Sequence, residues 1–351
     1  MTKYWNGTTR RRFMAGLAMG LCASLVPAAT AFAQEDVASF YEGKTITIYV
    51  GFGPGGGYDM YGRLAADFLG AHIPGNPEVI VENMPGAGGR LAAQYLHSVA
   101  PQDGTALSVV VQSVAMDSAT GTIPGGIDAS QFNAVGRMTA NYELGISWHD
   151  TGIATFEDTL SNTVAFASTG AGSASAFVPK MLNDLEGAQY NIIPGYEGVA
   201  SARLALESGE VDAMMAGLAG LQSSNPEWLE DGTINVIWQL ATEAHPEFPD
   251  AVVIGQLGET EDEKAMYRLV AGAADIGRSL ITTPNVPQER LDALRTAFDA
   301  MIADPAFAQA AADRNLDLDP LSGAALQEVI ASQMNVSEDA IELTRSYVLA
   351  Q

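Results

Sequence analysis

The clearest pattern of apolar and polar positions lies in residues 44–70. Residues 45–50 are β-branched or aromatic and contain no glycine or proline, which predicts a strand. Residues 53–57 are four glycines and a proline, which predicts a loop with unusual backbone angles. Apolar residues with helical spacing then predict a helix that ends at Gly70, through Tyr61, Leu64, Ala65, Phe68 and Leu69. A strand, a glycine loop and a helix N-terminus in this order are typical of an anion site built from backbone N–H groups.

The same order of elements recurs along the chain. Further strands are predicted at 78–82, 106–111, 163–167, 190–193, 211–215 and 234–239, with glycine- or serine-rich loops at 83–89, 168–173 and 194–198. Helices with one apolar face are predicted after these loops, and residues 259–351 are predicted to be mainly helical. This alternation is typical of an α/β fold, and the first three strands predict a parallel sheet.

Two segments organise this pattern into two lobes. Residues 132–148 contain apolar runs without a helical face, and we interpret them as extended chain that crosses between lobes. Residues 276–282 are predicted to form a return strand that closes the first lobe. We therefore predict two α/β lobes, each with a central sheet flanked by helices. The predicted limits are 34–139 and 250–351 for lobe I and 140–249 for lobe II.

Residues 1–33 have the features of an export signal. Residues 9–14 (TRRRFM) form a twin-arginine pattern, an apolar run follows, and residues 31–33 (AFA) are a small-residue cleavage site. We therefore expect export to the periplasm by the twin-arginine route. Cys22 is the one cysteine of the chain and lies inside this signal, so we expect no disulfide and no thiol chemistry in the exported protein.

The chain is strongly acidic, with 42 Asp and Glu residues against 17 Lys and Arg and a formal net charge of −25. That sign excludes nucleic acid as a partner. The acids are scattered along the chain, which indicates a solvated surface. An anion site in such a chain must depend on local dipoles, so we expect uncharged donors at the site and an affinity that changes little with salt.

The loop at residues 52–59 (FGPGGGYD) resembles the F-x-P-G-G-x-x-D loop of the extracytoplasmic receptors of tripartite tricarboxylate transporters. Residues 81–89 (VENMPGAGG), 101–105 (PQDGT) and 168–173 (STGAGS) are similar to further motifs of that family in order and spacing. Residues 284–305 resemble its last-domain pattern. The resemblance covers nearly the whole chain after the signal.

This resemblance implies a type II periplasmic-binding-protein-like fold of two lobes with a ligand cleft between them, a Venus flytrap, and a solute receptor instead of an enzyme. Such a receptor captures a small carboxylate, namely a di- or tricarboxylate or a related organic acid. It delivers the acid to a transporter with one large and one small membrane subunit. The resemblance implies no cofactor and no metal, and we expect a monomer. The carboxylate is expected between the glycine loop and the serine-rich loop, bound by backbone N–H groups and waters.

Carried over position by position, the resemblance predicts a set of ligand-binding residues. They are Phe52, Gly53, Pro54, Gly55, Gly56, Gly57, Tyr58, Asp59, Gly86, Gln112, Ser168, Thr169, Gly170, Gly172, Ser173 and Tyr196.

Several of these residues also have a structural interpretation. Asp59 is favourable at a helix N-terminus whether or not it contacts a ligand. The hydroxyl residues of 168–173 either contact the ligand or cap the next helix. Tyr58 and Tyr196 are either walls of the cleft or ordinary packing residues. Arg90 follows the second glycine loop, and we expect it to be solvated instead of paired with a ligand carboxylate.

The chain departs from the family pattern in two places. Residues 193–198 (IPGYEG) contain an additional Gly195 and the acid Glu197. The histidine that often follows the serine-rich loop in this family is absent. Both changes lie where the distal end of a ligand is expected, so the identity of the carboxylate stays open.

The main alternative is an exported oxidoreductase that binds NAD(P) or a flavin at the glycine loop. Residues 51–56 satisfy G-x-G-x-x-G after a strand, and Glu82 ends the next strand. Against it, Pro54 lies inside the fingerprint, and Glu82 is about 30 residues beyond Gly51 instead of about 20. Patterns for a serine hydrolase or a metal site are weaker, because Ser173 lacks a G-x-S-x-G setting and the histidines show no ligand spacing.

Overall fold

The structure is a computed structural model, and it describes residues 36–170 and 173–349. The predicted export signal with its twin-arginine pattern lies outside the described residues, as do Ala171 and Gly172 of the serine-rich loop. Within the described ranges, no helix is both long enough and apolar enough to cross a membrane.

The strands form where short runs of β-branched and apolar residues are bounded by loops. In chain order they are β1 (Thr45–Val50), β2 (Glu78–Asn83), β3 (Ala106–Val109), β4 (Asn133–Thr139), β5 (Glu143–Trp148), β6 (Val164–Ser168), β7 (Tyr190–Pro194), β8 (Ala213–Gly217), β9 (Ile234–Leu240), β10 (Val252–Val253), β11 (Arg278–Thr282) and β12 (Leu321–Ser322). The strands predicted up to residue 239 outside the crossing segment are confirmed, with limits that agree to within two residues.

The first sheet has the strand order β12-β4-β11-β3-β1-β2. Strand β1 pairs in parallel with β2 and β3, whereas β11 is antiparallel to β3 and β4. The predicted return strand is confirmed, because β11 lies between β3 and β4. The prediction of a parallel sheet holds for β1, β2 and β3 only. The complete sheet is mixed, since the return strand enters it in the opposite direction.

The second sheet has the order β10-β9-β5-β8-β6-β7. Strand β6 is parallel to β7 and β8, and β5 is antiparallel to β8 and β9. Residues 132–148 therefore contain two strands, β4 and β5, that belong to different sheets. The predicted crossing by extended chain is confirmed.

Helices pack on both sheets and complete four clusters of buried apolar side chains. In chain order they are α1 (Val37–Tyr41), α2 (Gly57–His72), α3 (Arg90–Ser98), α4 (Val114–Ala119), α5 (Phe156–Ser161), α6 (Ala174–Glu186), α7 (Val199–Glu207), α8 (Leu218–Ser224), α9 (Pro226–Glu230), α10 (Glu261–Ala271), α11 (Ala273–Ile276), α12 (Gln288–Ile302), α13 (Pro305–Ala312), α14 (Gly323–Met334) and α15 (Glu338–Val348). Short 3-10 helices occur at Ala87–Gly89, Ala129–Gln131 and Ile254–Gln256.

The largest cluster at the first sheet is named the first core and the largest at the second sheet the second core. In the first core, Leu64 of α2 and Phe298 of α12 pack with the side chains of β1. In the second core, Trp238 of β9 is in the same cluster as Tyr267 of α10 and Val348 of α15. Helices α10 and α15 therefore contribute to the second core, although both follow the second sheet's strands in the chain. The sequence limits that we assign to the two lobes stay a prediction.

Two strand glycines allow large rings to pack flat against the sheets. Gly136 of β4 faces Phe298, and Gly145 of β5 faces Trp238. A Cβ at either glycine would overlap the facing ring, and both rings are fully buried. Alanine at either position must therefore displace a core side chain, which is costly in a close-packed interior.

The two sheets are connected where the chain crosses between them. Residues 140–142 lead from β4 to β5, and the chain returns through α10 and α11 to β11. The two crossings are bound to each other, since the N–H of Asn141 donates to the carbonyl of Ala274 at 3.0 Å. Gly277 has a φ of 50°, and a Cβ there would overlap the carbonyl of Thr139. Only glycine allows this approach without strain.

Candidate functional site

In the first sheet, the ends of several strands meet at one edge. Because β1, β2 and β3 are parallel, the loops that follow them, at 51–56, 84–86 and 110–113, lie at the same edge. Strand β11 runs in the opposite direction, so its first residue, Arg278, also lies there. The topology therefore places a guanidinium group beside the glycine loop.

The second sheet has an equivalent edge. Strand β6 ends at Ser168, where the serine-rich loop begins. Strand β5 is antiparallel to β8, so its first residue, Glu143, pairs with Gly217 at the end of β8. The crossing at 140–142 joins the end of β4 to the start of β5, so the two edges lie on either side of one cleft.

The glycine loop is exposed between residues 53 and 56. Gly53, Gly55 and Gly56 have open space where a Cβ would stand. Gly55 has a φ of 86°, which favours glycine, and its N–H donates to Oδ2 of Asp59 at 2.8 Å. This N–H is therefore used within the loop, while the space above Gly53 and Gly56 leaves their backbone accessible.

Asp59 holds the glycine loop in place. It is 2% exposed and accepts hydrogen bonds from Gly55 N–H, from Arg63 Nε at 2.9 Å and from Asn83 Nδ2 at 2.8 Å. Burial alone would raise the pKa of Asp59, but the hydrogen bonds from Arg63, Gly55 and Asn83 outweigh burial and lower it to about 2. These contacts support the structural interpretation of Asp59, and its contact with a ligand stays a prediction.

The two glycine loops pack directly on each other. A Cβ at Gly51 would lie 2.6 Å from the Cα of Gly89, and a Cβ at Gly89 would lie 3.0 Å from the ring of Phe52. The Phe52 ring in turn stacks on Tyr58, with centroids 4.3 Å apart. Gly86 has a φ of 153°, which favours glycine. Because residues 51 and 89 have no side chains, the two loops can pack this closely, and the packing sets the position of the Tyr58 ring.

The hydroxyl groups of the serine-rich loop bind mainly one another. Ser173 Oγ donates to the carbonyl of Gly170 at 2.7 Å and lies 2.8 Å from Ser175 Oγ. The N–H of Thr169 donates to Ser175 Oγ, and Thr169 Oγ1 is also within hydrogen-bond distance of Ser175 Oγ. Oγ of the buried Ser168 accepts a hydrogen bond from the N–H of Gly170. The Ser173 side chain makes no capping bond to α6, so the capping interpretation is wrong for this residue. Sequence analysis missed Ser175, the centre of the cluster.

A cavity of about 240 Å³ lies between the two edges. Tyr58, Gln112 and Arg278 line it from the first sheet, and Glu143 and Phe177 line it from the second. Much of the remaining wall is apolar, formed by Met116, Met215, Leu240 and Val270. The cavity therefore has a polar wall and an apolar wall.

Arg278 is the centre of the polar wall. Its Nη1 donates to Gln112 Oε1 at 2.7 Å and its Nη2 donates to Asn141 Oδ1 at 3.0 Å. The guanidinium lies 4.0 Å from the ring centroid of Tyr58, a cation–π contact. The Tyr58 hydroxyl also accepts from the N–H of Gln112 at 3.1 Å. Three side chains, those of Gln112, Asn141 and Tyr58, thus hold this positive charge at the cavity.

Arg90 is a second guanidinium at the cavity. Its Nη2 lies 2.7 Å from Oδ1 of Asp117, which is fully buried, and its own Nε is buried without a hydrogen-bond partner in the described part of the chain. The expectation that Arg90 is simply solvated is wrong, because a buried carboxylate such as Asp117 needs a cation to offset its charge. We expected uncharged donors alone, but two guanidinium groups, those of Arg90 and Arg278, also line this cavity.

Glu143 is the acid of the opposite wall. Burial raises the pKa of its carboxyl, and the nearby charge of Arg278 and a hydrogen bond from Asn141 oppose that rise. Nδ2 of Asn141 donates to Glu143 Oε1 at 3.0 Å and to Gln112 Oε1 at 2.8 Å. Asn141, on the crossing between the sheets, therefore links the two walls.

A larger cleft of about 420 Å³ lies on the other side of the crossing, beside Tyr142 and His245. Its charged lining residues are Glu247, Asp317 and Asp319, and no lysine or arginine is among the residues that line it. Asp319 pairs with Arg137 at 2.9 Å, but the carboxylates of Glu247 and Asp317 remain, and they would repel an anion. The smaller cavity at Arg278 is therefore the better candidate for binding an acid.

Of the predicted ligand-binding residues, Tyr58 and Gln112 line the cavity. Tyr196 does not, and its hydroxyl donates to Glu210 at 2.8 Å. Gly172 is outside the described residues. The remaining predicted contacts are not cavity-lining residues here, and their role toward a ligand stays a prediction: Phe52, Gly53, Pro54, Gly55, Gly56, Gly57, Asp59, Gly86, Ser168, Thr169, Gly170 and Ser173.

Sequence analysis missed Arg278, Glu143 and Asn141. One signal follows from the sheet topology, and one was present in the sequence. A return strand that enters antiparallel places its first residue at the edge with the glycine loop, and Arg278 is that residue. Glu143 is the one acid between residues 132 and 148, in an otherwise uncharged and mostly apolar stretch apart from one arginine.

The dinucleotide alternative finds little support in the loop geometry. Gly51, the first glycine of the fingerprint, packs on the backbone of Gly89. In the described part of the chain, no cluster of three or more His, Cys, Asp or Glu side chains could hold a metal ion.

Comparison with known proteins gives consistent matches. Residues 64–344 match the model of the family described as tripartite tricarboxylate transporter family receptor. A UPF0065 protein of Cupriavidus necator is 27% identical over 309 residues, which are 83% of this chain and 85% of that protein. A UPF0065 protein of Agrobacterium vitis is 28% identical over 273 residues, 75% of this chain and 74% of that protein.

Solved structures show the same fold. A TctC solute-binding protein from Polaromonas has a TM-score of 0.66 at 19% identity and covers 89% of this chain and 100% of its own. MatC from Rhodopseudomonas palustris, solved with bound malate, has a TM-score of 0.56 at 20% identity, with 85% and 99% covered. Another R. palustris protein, solved with adipate, has a TM-score of 0.56 at 18% identity, with 87% and 97% covered. The two mixed sheets flanked by helices thus form a two-lobed, periplasmic-binding-protein-like α/β fold.

Proposed function

The chain belongs to the family of tripartite tricarboxylate transporter receptors, and we propose that it is an extracytoplasmic solute-binding protein that captures a small carboxylate between its two lobes. The family is one of solute receptors, not of enzymes. The observation that carries the proposal is the guanidinium of Arg278, held at a cavity between the strand ends of both sheets.

The geometry supports binding of an anion. A hydrogen bond to a charged group contributes about 1.5–3 kcal/mol net, and arginine is well suited to bind a carboxylate with two N–H groups. Three or four such bonds, less the cost of ordering the ligand, are sufficient for about micromolar affinity. The exposed backbone at Gly53 and Gly56 offers further donors at the same edge.

The related structures support the same chemistry. Those solved with malate and with adipate contain small carboxylates, and we extend that ligand class to this protein. We place the protein in the periplasm as a monomer, exported by the twin-arginine route that residues 9–14 predict. It would close on the ligand by rotation of the lobes and deliver it to one large and one small membrane subunit.

Calorimetry tests ligand capture. Protein without its signal, unfolded and refolded to remove any carried ligand, is titrated with mono-, di- and tricarboxylates. We expect at least one acid to bind with about micromolar affinity. Arg278→Gln should weaken that binding at least about tenfold, because a charged donor is lost. Arg314→Gln is the matched control, since Arg314 pairs with Asp67 at the surface.

The proposal fails if no carboxylate binds the refolded protein, or if Arg278→Gln binds the same acid as tightly as the wild-type protein.

Delivery is tested with vesicles that contain the two membrane subunits. Uptake of the bound acid should require the receptor, and uptake at the same rate without it would contradict the transport role.

One observation decides whether the protein is instead an oxidoreductase. An exported dinucleotide enzyme would release a nicotinamide or flavin on unfolding, with its characteristic absorbance. We expect no such absorbance from the purified, unfolded protein, and its presence would favour the enzyme.

A further inference from the structure

We propose that the ligand is an acid with a single carboxylate and an apolar body, not a di- or tricarboxylate. This inference rests on the proposed function and names the class of acid that the cavity accepts. Four properties of the cavity support it: its donors, its apolar wall, its count of charges and its size.

The hydrogen-bond donors are concentrated at one end of the cavity. Arg278 lies beside the glycine loop, since a Cβ at Gly57 would be 3.7 Å from its Nε. Oε1 of Gln112 accepts from Arg278 and Asn141, while Nε2 of Gln112 donates to no described residue and remains available. Ala174, the first residue of the 13-residue helix α6, lines the same cavity and brings a helix N-terminus to it. One carboxylate satisfies these donors.

A cluster of apolar side chains in the remaining wall provides no donors. Met116, Phe177, Leu240 and Val270 belong to the second core, and each is at most 6% exposed. A second carboxylate against these side chains would lose its hydration without gaining hydrogen bonds, which is strongly unfavourable. An aliphatic chain or a single aromatic ring would instead gain from burial there.

The charges of the cavity allow one anion. Arg90 is neutralised by Asp117. Arg278 donates to the uncharged side chains of Gln112 and Asn141, and the nearby Glu143 carboxyl offsets part of its charge, so the cavity has no cation to spare for a second ligand carboxylate. Glu143 supplies a carboxyl on the other wall, and a second ligand carboxylate beside it would be repelled.

The size of the cavity is consistent with this class. Its volume of about 240 Å³ is below the roughly 300–1,000 Å³ of sites for drug-sized ligands. A short aliphatic acid or an acid with one ring is therefore the expected occupant.

The test compares four acids by calorimetry on the refolded protein: hexanoate, benzoate, malate and citrate. We expect hexanoate or benzoate to bind at least about tenfold more tightly than malate or citrate. Glu143→Gln removes the repelling carboxyl, so the affinity for malate relative to hexanoate should rise about tenfold. Glu261→Gln, which removes an exposed acid of α10 outside the cavity, should leave all four affinities unchanged.

The outcomes separate the two proposals. If malate or citrate binds more tightly than both monocarboxylates, the inference about ligand class is wrong while the receptor function stands. An unchanged malate-to-hexanoate ratio in Glu143→Gln also overturns it. If none of the four acids nor any other carboxylate binds, the receptor function fails as well.

Discussion

Replacing Asp59 by asparagine tests how the glycine loop is held. Asparagine is a neutral analogue of the protonated acid, so Asp59→Asn removes the charge while keeping the size of the side chain. In the original chain the carboxylate accepts bonds from Gly55, Arg63 and Asn83. The substitution therefore isolates the contribution of the ionised form.

The size of the effect follows from the pKa. Asp59 has a pKa of about 2 in the folded protein against 3.8 for the unperturbed group. That difference corresponds to about 2 kcal/mol of folding stability at neutral pH. Because the folded pKa is the lower one, this contribution is complete well above pH 4 and is lost as the pH falls toward 2. At pH 3 it is reduced to about 1 kcal/mol.

The assay is urea denaturation, which measures the free energy of unfolding of the wild-type protein and of Asp59→Asn at pH 7 and at pH 3. Asp67→Asn is the matched control on the same helix, since Asp67 pairs with Arg314 but both side chains are well exposed. An exposed pair contributes about 0–1 kcal/mol. We expect the variant to lose about 2 kcal/mol at pH 7 and about half of that at pH 3.

Two results would refute this reasoning. One is a loss for Asp59→Asn no larger than that for Asp67→Asn at pH 7. The other is an equal loss at both pH values, because a contribution that depends on the ionised carboxylate must decrease as the carboxylate is protonated.

Further predictions concern packing, binding and export. Gly145→Ala should lower the free energy of unfolding by about 1–3 kcal/mol, because its Cβ overlaps a buried indole ring; Gly53→Ala, which faces open space, should cost under about 1 kcal/mol in the same denaturation experiment. Gly56→Val should abolish carboxylate binding in calorimetry. Its circular dichroism spectrum and thermal midpoint should stay close to those of the wild-type protein, since the added side chain points into open space at the edge of the site. Equal binding by the variant and the wild-type protein would show that the loop does not contact the ligand. Lysine at both Arg10 and Arg11 should retain the protein in the cytoplasm on cell fractionation, and normal export of that variant would contradict the twin-arginine assignment.

Strands were predictable because short β-branched runs lie between clear loop signals, as at 45–50 and 234–239. Short helices such as Val114–Ala119 and Pro226–Glu230 were not, since five or six residues are too few to establish a helical period. The contribution of α15 to the second core could not be predicted from local pattern either, because an apolar helix face does not specify which core it will join.

The parts of the site that depend on local backbone conformation were predictable from the sequence. The parts that depend on how distant strands pair were less predictable. The glycine loop was identified because five successive Gly and Pro residues allow few other interpretations. Arg278 was missed because a lone arginine at the start of a strand carries no local signal, and its contact with Gln112 joins residues 166 positions apart. Asp59 was identified, but its partners Arg63 and Asn83 could be assigned only from the fold.

Strand β11 lies between β3 and β4, although about 140 residues separate it from β4 in the chain. A nascent polypeptide that has emerged as far as β10 therefore has a gap in the middle of its first sheet, and its second core still lacks Tyr267 and Val348. Neither half of the molecule can be finished before synthesis is nearly complete. Chains shortened at the C-terminus would expose unpaired strand edges and apolar surface, which makes them prone to aggregation and degradation. A transport route that accepts folded proteins would consequently receive only full-length molecules.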